Sequence, residues 1–200
     1  MTQAKIRKKF FDVEMPILKK ETQLYGYKIE DLEGRVIILD MTRLLRGKNA
    51  VLKLRVEIED NKAVAKPREM KILPYFIKKM MRKGTNYVED SFSAQCKDAQ
   101  IRIKPFLITR RKVSRSVRKA LRNIAKEELI SYAKGKSYDT IFQDLLKNQI
   151  QKTLSLRLKK IYPLSLCEIR ILKVEKLLEK TKETKKKEKK TEIEVEEESD

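Results

Sequence analysis

Between Ala99 and Lys126 the chain carries ten Lys or Arg and no Asp or Glu, while its apolar residues keep a regular spacing. Ile101, Ile103 and the run Phe106 to Ile108 continue as in a strand, and Val117, Leu121 and Ile124 then recur as on one side of a helix. Charge of a single sign cannot be neutralised inside a core, so this stretch must hold its bases on ordered structure and turn them to solvent. At about 100° per residue, Arg118, Lys119, Arg122 and Lys126 fall within about 60° of Arg115, opposite the apolar stripe. The stretch reads as a strand end presenting Arg102, Lys104, Arg110, Arg111 and Lys112, followed by a helix with one face for the core and one for phosphate.

The whole chain extends this bias. In 200 residues, 49 Lys+Arg stand against 29 Asp+Glu, a formal charge of +20. Such an excess repels itself in a compact state, and a polyanion is the usual partner that offsets it. Arg110, Arg111, Arg115, Arg118 and Arg122 favour Arg, whose planar fork suits bidentate phosphate contact, whereas the C-terminal tail uses Lys as a hydrated point charge. Aromatic residues make up only 6 % of the chain, and within the basic stretch only Phe106 is one, so shape and phosphate recognition of folded RNA fits better than the reading of single strands.

Catalysis has little to draw on. Histidine is absent, which removes the commonest general base and every Ser-His or Cys-His pair. The five glycines never cluster into a phosphate-cradling loop, and Glu89-Asp90 and Glu127-Glu128 read as surface pairs. Cys96 and Cys167 are too few for a zinc site and read as ordinary thiols. The expectation is a binding protein with no enzymatic activity, cofactor, metal or small-molecule substrate. No apolar run exceeds the four residues Val36 to Leu39, which points away from a membrane and towards the cytoplasm.

Along the chain, Lys5, Arg7, Lys8 and Lys9 form a basic arm before Phe10 and Phe11, the pair anchoring its end to the core. Residues 15 to 33 read as a connecting segment punctuated by Pro16, Gly26 and Gly34. Arg35 to Met41 and Val51 to Ile58 are strand-like, with a hairpin tip at Asp60-Asn61 and a return to Ile72. Pro74 opens a short helix, and strands follow near Tyr87 to Phe92 and Ile101 to Ile108. Ser114 or Ser116 caps the central helix, which Gly135 closes. From Ser137 a single helix is expected until Pro163, then a last strand from Cys167 to Val174.

The predicted fold is therefore α+β: a small β-barrel-like antiparallel sheet of five or six strands flanked by helices. The expected organisation is a basic N-terminal arm over residues 1–14, one globular domain over 15–175 and a charged tail over 176–200. The tail holds eight Lys and three Glu from Lys176 to Lys190, then six acids and no base from Thr191 to Asp200.

These residues resemble the archaeal and eukaryotic small-ribosomal-subunit protein family eS-one, also known as S-three-a-e. The matching segments are KIRKKFF at 5–11, EGRVIILDMTRLL at 33–45, LKLRVEIEDNKAVAK at 52–66, IRIKPFLITRRKVSRSVRKALRNI at 101–124 and KKIYPLSLCEIRILKVE at 159–175. The resemblance implies a structural, rRNA-binding protein on the platform of the small subunit, near the messenger exit and the 3′ end of its RNA. Ribosomal RNA, neighbouring ribosomal proteins and messenger RNA are the implied partners. Lys5, Arg7, Lys8 and Lys9 match the family's basic arm, and Arg102, Lys104, Arg110, Arg111 and Lys112 its central RNA-facing motif. Lys159 and Lys160 open the last matching segment and join the candidate contacts. Where family members tend to have an Arg triplet after the short helix, this chain reads Met81-Arg82-Lys83-Gly84. The alternative is a free-standing RNA-binding protein or RNA chaperone with the same surface.

Overall fold

The computed structural model describes residues 7–45, 47–59 and 62–178. Lys5, the hairpin tip at Asp60-Asn61 and the tail from residue 179 onward lie outside the described residues. Strands β1 (Lys9–Met15), β2 (Lys20–Gly26), β3 (Val36–Asp40), β4 (Ala50–Glu59) and β5 (Lys62–Ile72) are followed by helix α1 (Pro74–Met80). Strands β6 (Tyr87–Glu89), β7 (Phe92–Gln95) and β8 (Ala99–Thr109) lead into helices α2 (Arg115–Lys134), α3 (Tyr138–Leu146) and α4 (Gln149–Leu158), and β9 (Leu164–Leu177) ends the fold.

The class α+β is as expected, but the sheet is open and mixed rather than an antiparallel barrel. Its main path runs β2-β1-β5-β9-β8-β6, and its outermost strands do not close on one another. β1 lies parallel to β5 through Val13↔Ala63 and Glu14↔Val64, while the remaining pairs are antiparallel. One edge of β5 is occupied along its length by β4, and the other is shared by β1 near Ala63 and β9 near Met70. A strand shared in this way joins two branches of the sheet.

Alternation decides which face is covered. Ala50, Leu52, Leu54 and Val56 on β4 meet Ile72, Met70, Pro67 and Ala65 on β5, and all are buried. Ile101, Ile103, Leu172 and Val174 continue the same apolar face across β8 and β9, beneath the helices. The two strand prolines sit at irregularities, where a missing N–H costs the ladder nothing. Pro67 pairs with Leu54 while Glu69 pairs with Lys53, leaving Arg68 as the extra residue, and Pro105 pairs with Ile169 while Lys104 pairs with Ile171, leaving Arg170 extra.

Two further expectations are corrected. The segment from 15 to 33 contributes β2, because seven cross-strand pairs with β1 override a local pattern too polar to read as a strand. The helix expected from Ser137 to Pro163 breaks at Asn148, which adopts a left-handed conformation with φ 59° and leaves α3 and α4 as separate helices. Asn tolerates that conformation better than most residues, so it acts as the breaker that spacing alone did not reveal.

Candidate nucleic-acid interface

The central basic segment leaves the sheet at a pinned corner. Thr109 is fully buried, its N–H donates to the Asn86 carbonyl at 2.9 Å, and its hydroxyl accepts from the Asn86 N–H at 3.0 Å. Four residues on, the Val113 N–H donates to Asn86 Oδ1 at 2.8 Å. Asn86 thus ties both ends of a short loop, and Arg110, Arg111 and Lys112 on it are all exposed. Cations held on such a loop lose little conformational freedom when they meet a phosphate.

Helix α2 starts just beyond this loop. Ser114 caps it, its hydroxyl accepting the Val117 N–H, and Ser116 hydrogen-bonds Ser114 at 2.8 Å. Leu121, Ala125, Leu129 and Ala133, four residues apart, bury one stripe of the helix. Arg115, Lys119, Arg122 and Lys126 lie exposed on the other face, as periodicity predicts. Arg118, at the margin of that arc, is half-buried with its Nε lacking a hydrogen-bond partner. Lys126 rests 6.0 Å from the centroid of the Phe92 ring. The first turn holds no acid, so the helix dipole and the Arg side chains add to one positive field.

The fold brings Lys159 and Lys160 to the same corner. Both are exposed in the turn after α4, and in that turn the Pro163 carbonyl accepts from the Arg110 N–H at 3.4 Å. Arg102 and Lys104 belong to a different surface, the uncovered face of the sheet, with Lys104 ~20 Å along the strand from Arg110. Arg102 pairs with Glu175, which also accepts from the Ser93 hydroxyl at 2.8 Å. The Ser93 hydroxyl, then the Arg102 guanidinium, hold the Glu175 carboxyl below its ordinary range. Arg7, Lys8 and Lys9 are exposed at the start of β1. The parallel register of β1 on β5 puts them at the Ala99 end of the sheet, the opposite end of β8 from the Arg110 loop.

No three His, Cys, Asp or Glu converge in a metal-binding arrangement among the described residues. A cavity of about 600 Å³ lies between α4 and β9, but the Lys48 ammonium on its wall is paired with Glu168 at 2.5 Å. Burial pushes the Cys96 thiol up to about 11 and the Cys167 thiol to about 12, so neither is a ready nucleophile. Cys96 follows β7 while Cys167 faces Leu107 on β8, at opposite ends of that strand. No helix of the described residues is long and apolar enough to cross a membrane.

The chain is an α+β domain with its helices on one sheet face and a basic corner built from a pinned loop, a helix face and a lysine turn. The sequence matches the Ribosomal S3Ae family over residues 3–177, and the chain belongs to that family. Its relatives include proteins named small ribosomal subunit protein eS1. That of Nanoarchaeum equitans is 29 % identical over 166 residues, covering 78 % of this chain and 83 % of the relative. That of Methanobrevibacter smithii is 25 % identical over 170 residues, covering 81 % and 88 %, and that of Desulfurococcus amylolyticus is 23 % identical over 145 residues, covering 70 % and 68 %.

Proposed function

We propose that the chain is a structural constituent of the small ribosomal subunit and holds ribosomal RNA on the Arg110–Lys112 loop, the outer face of α2 and the Lys159–Lys160 turn. The observation that carries this reading is the tethering of Thr109 and Val113 to one Asn86 side chain and backbone, which fixes three adjacent exposed cations beside a cation-faced helix. Family membership and the names of the relatives support it. The location on the platform near the messenger exit and the 3′ end of the RNA rests on the family resemblance. So do the neighbouring ribosomal proteins and messenger RNA as partners, and a place in the cytoplasm. A single domain belongs to the same proposal; because β1 (Lys9–Met15) pairs in the sheet with Val13 in the core and β9 runs to Leu177, it spans Lys9 to Leu177 rather than 15–175. Binding is through shape and phosphate, and the protein performs no covalent step.

The test is charge reversal of Arg111, Arg115 and Arg122 together. All three side chains are exposed, so the far-UV circular dichroism and melting temperature should stay close to those of the parent. The variant should be lost from the small-subunit fraction after a high-salt wash, while the parent stays with it. Retention of the variant would overturn the proposed surface, and a parent protein found only in the free pool would favour an RNA chaperone instead.

A further inference from the structure

The surface at the other end of the sheet has a different chemistry. In β1 and β2, Phe10 pairs with Tyr25 across the strands and both point away from the helices, with ring centroids 5.0 Å apart. Phe10 is 68 % exposed and Tyr25 and Tyr27 are each 50 % exposed, a run of open aromatic surface on an otherwise polar hairpin. The Lys8 ammonium stands 5.6 Å from the Tyr25 centroid and 5.1 Å from that of Tyr27. Arg7 and Lys28, next in sequence to Lys8 and Tyr27, are exposed, and neither they nor Lys8 has a carboxylate at salt-bridge distance among the described residues.

A cross-strand aromatic pair alone is explained by hairpin stability. That does not explain Tyr27, which lies beyond the end of β2, nor the Lys8 ammonium held over both tyrosine rings. The support beneath the rings is also rigid. Arg35 donates to the Tyr25 carbonyl at 2.8 Å and to the Asp31 carbonyl at 3.0 Å, which clamps the end of β2 onto the following turn. Gly26 packs so closely that a Cβ there would meet Leu32 Cδ2 at 3.2 Å. Further along the same hairpin face the side chains become Asp12, Glu14 and Glu21, which repel phosphate and confine an anionic ligand to the aromatic end.

We infer that Phe10, Tyr25 and Tyr27 form a stacking platform for two or three unpaired RNA bases, with Arg7, Lys8 and Lys28 receiving the flanking phosphates. Open rings beside exposed cations are what a single strand recognises, because every base has a π face and every linkage a charge. A base that stacks on Tyr25 frees the Lys8 ammonium for the neighbouring phosphate. The site rests on the RNA-binding reading and adds to it a second RNA class, single-stranded, at the end of the sheet remote from the Arg110 corner.

The test uses the full chain with an unpaired RNA decamer containing 2-aminopurine and a blunt RNA duplex of the same length. The parent should bind the decamer and quench the 2-aminopurine emission by stacking. Phe10→Ala with Tyr25→Ala should weaken decamer binding at least about tenfold and abolish the quench, while duplex binding changes less than about twofold. Tyr27→Ala, which touches no strand pairing, should weaken the decamer about fivefold on its own, and Tyr25→Phe should bind like the parent. Undiminished decamer binding in the alanine variants, or equal loss of decamer and duplex, would overturn the platform. Failure of the parent to bind the duplex would instead overturn the Arg110 surface, so the two readings fail separately. In assembled subunits, ultraviolet cross-linking at Tyr25 to RNA supports the site, and the cross-linked sequence shows whether the strand is the subunit's own. Cross-linking to protein alone would overturn it.

Discussion

Asp144 is 8 % exposed and accepts from Tyr132 Oη and Lys136 Nζ, both at 2.6 Å. Burial works to raise its carboxyl, but the hydrogen bonds from Lys136 and Tyr132 outweigh it and hold the group below its ordinary 3.8. A folded value below the unfolded one means that the stabilisation is complete above about pH 4 and lost as pH falls through the folded value. Asp144→Ala should therefore cost about 1–3 kcal/mol at neutral pH, and urea melts should show the difference shrinking below pH 3.8. Lys48 makes a second such tie. Its ammonium reaches Glu168 on β9 at 2.5 Å and Asn148 Oδ1 at the α3–α4 break at 2.6 Å, joining three regions distant in sequence. Lys48→Met leaves a carboxylate that is 6 % exposed without its cation and should lower stability by about 1–3 kcal/mol by the same measurement. None of these partnerships was legible in the sequence, because the partners lie 8 to 120 residues apart and only the fold decides which charges meet.

At the level of elements, strands and helices with strong alternation or an apolar stripe were readable, and those defined by their neighbours were not. The core faces of β4, β5, β8 and α2 follow from residues such as Leu52, Leu54, Ile101 and Leu121, which are all at most 1 % exposed. β2, by contrast, is Lys-Glu-Thr-Gln-Leu-Tyr-Gly, whose inward positions are Thr22, Leu24 and Gly26, with Leu24 the one large apolar side chain among them. Its strand character comes from pairing with β1, a tertiary cause that a local pattern cannot carry. The expected anchoring of Phe10 and Phe11 is half right, since Phe11 packs on the core while Phe10 faces solvent. The Arg110–Lys112 loop makes the same point for function: its charge was visible, but its rigidity depends on Asn86, some 23 residues earlier. Asn86→Ala should leave the fold largely intact yet lower affinity for rRNA fragments about three- to tenfold, as measured by filter binding, because the loop must then be ordered on binding.

For the whole molecule, a formal charge of +20 announces a polyanion but not how many surfaces meet it. The sheet divides the described bases into a cation-only corner around Arg110, a mixed outer face where Arg102 is paired with Glu175, and a cation-aromatic end around Lys8. This division was not readable beforehand because the parallel docking of β1 on β5, which sends Arg7 to Lys9 away from Arg110, leaves no local trace. The most direct measurement is the salt dependence of binding by the purified protein to small-subunit rRNA. With about eight phosphates neutralised, log affinity should fall with log salt at a slope of roughly −6 to −7, and exchanging Arg111, Arg115 and Arg122 for Gln should make the slope shallower by roughly 2 to 3. A slope near zero, or one that the three substitutions leave unchanged, would contradict phosphate binding at the Arg110 corner.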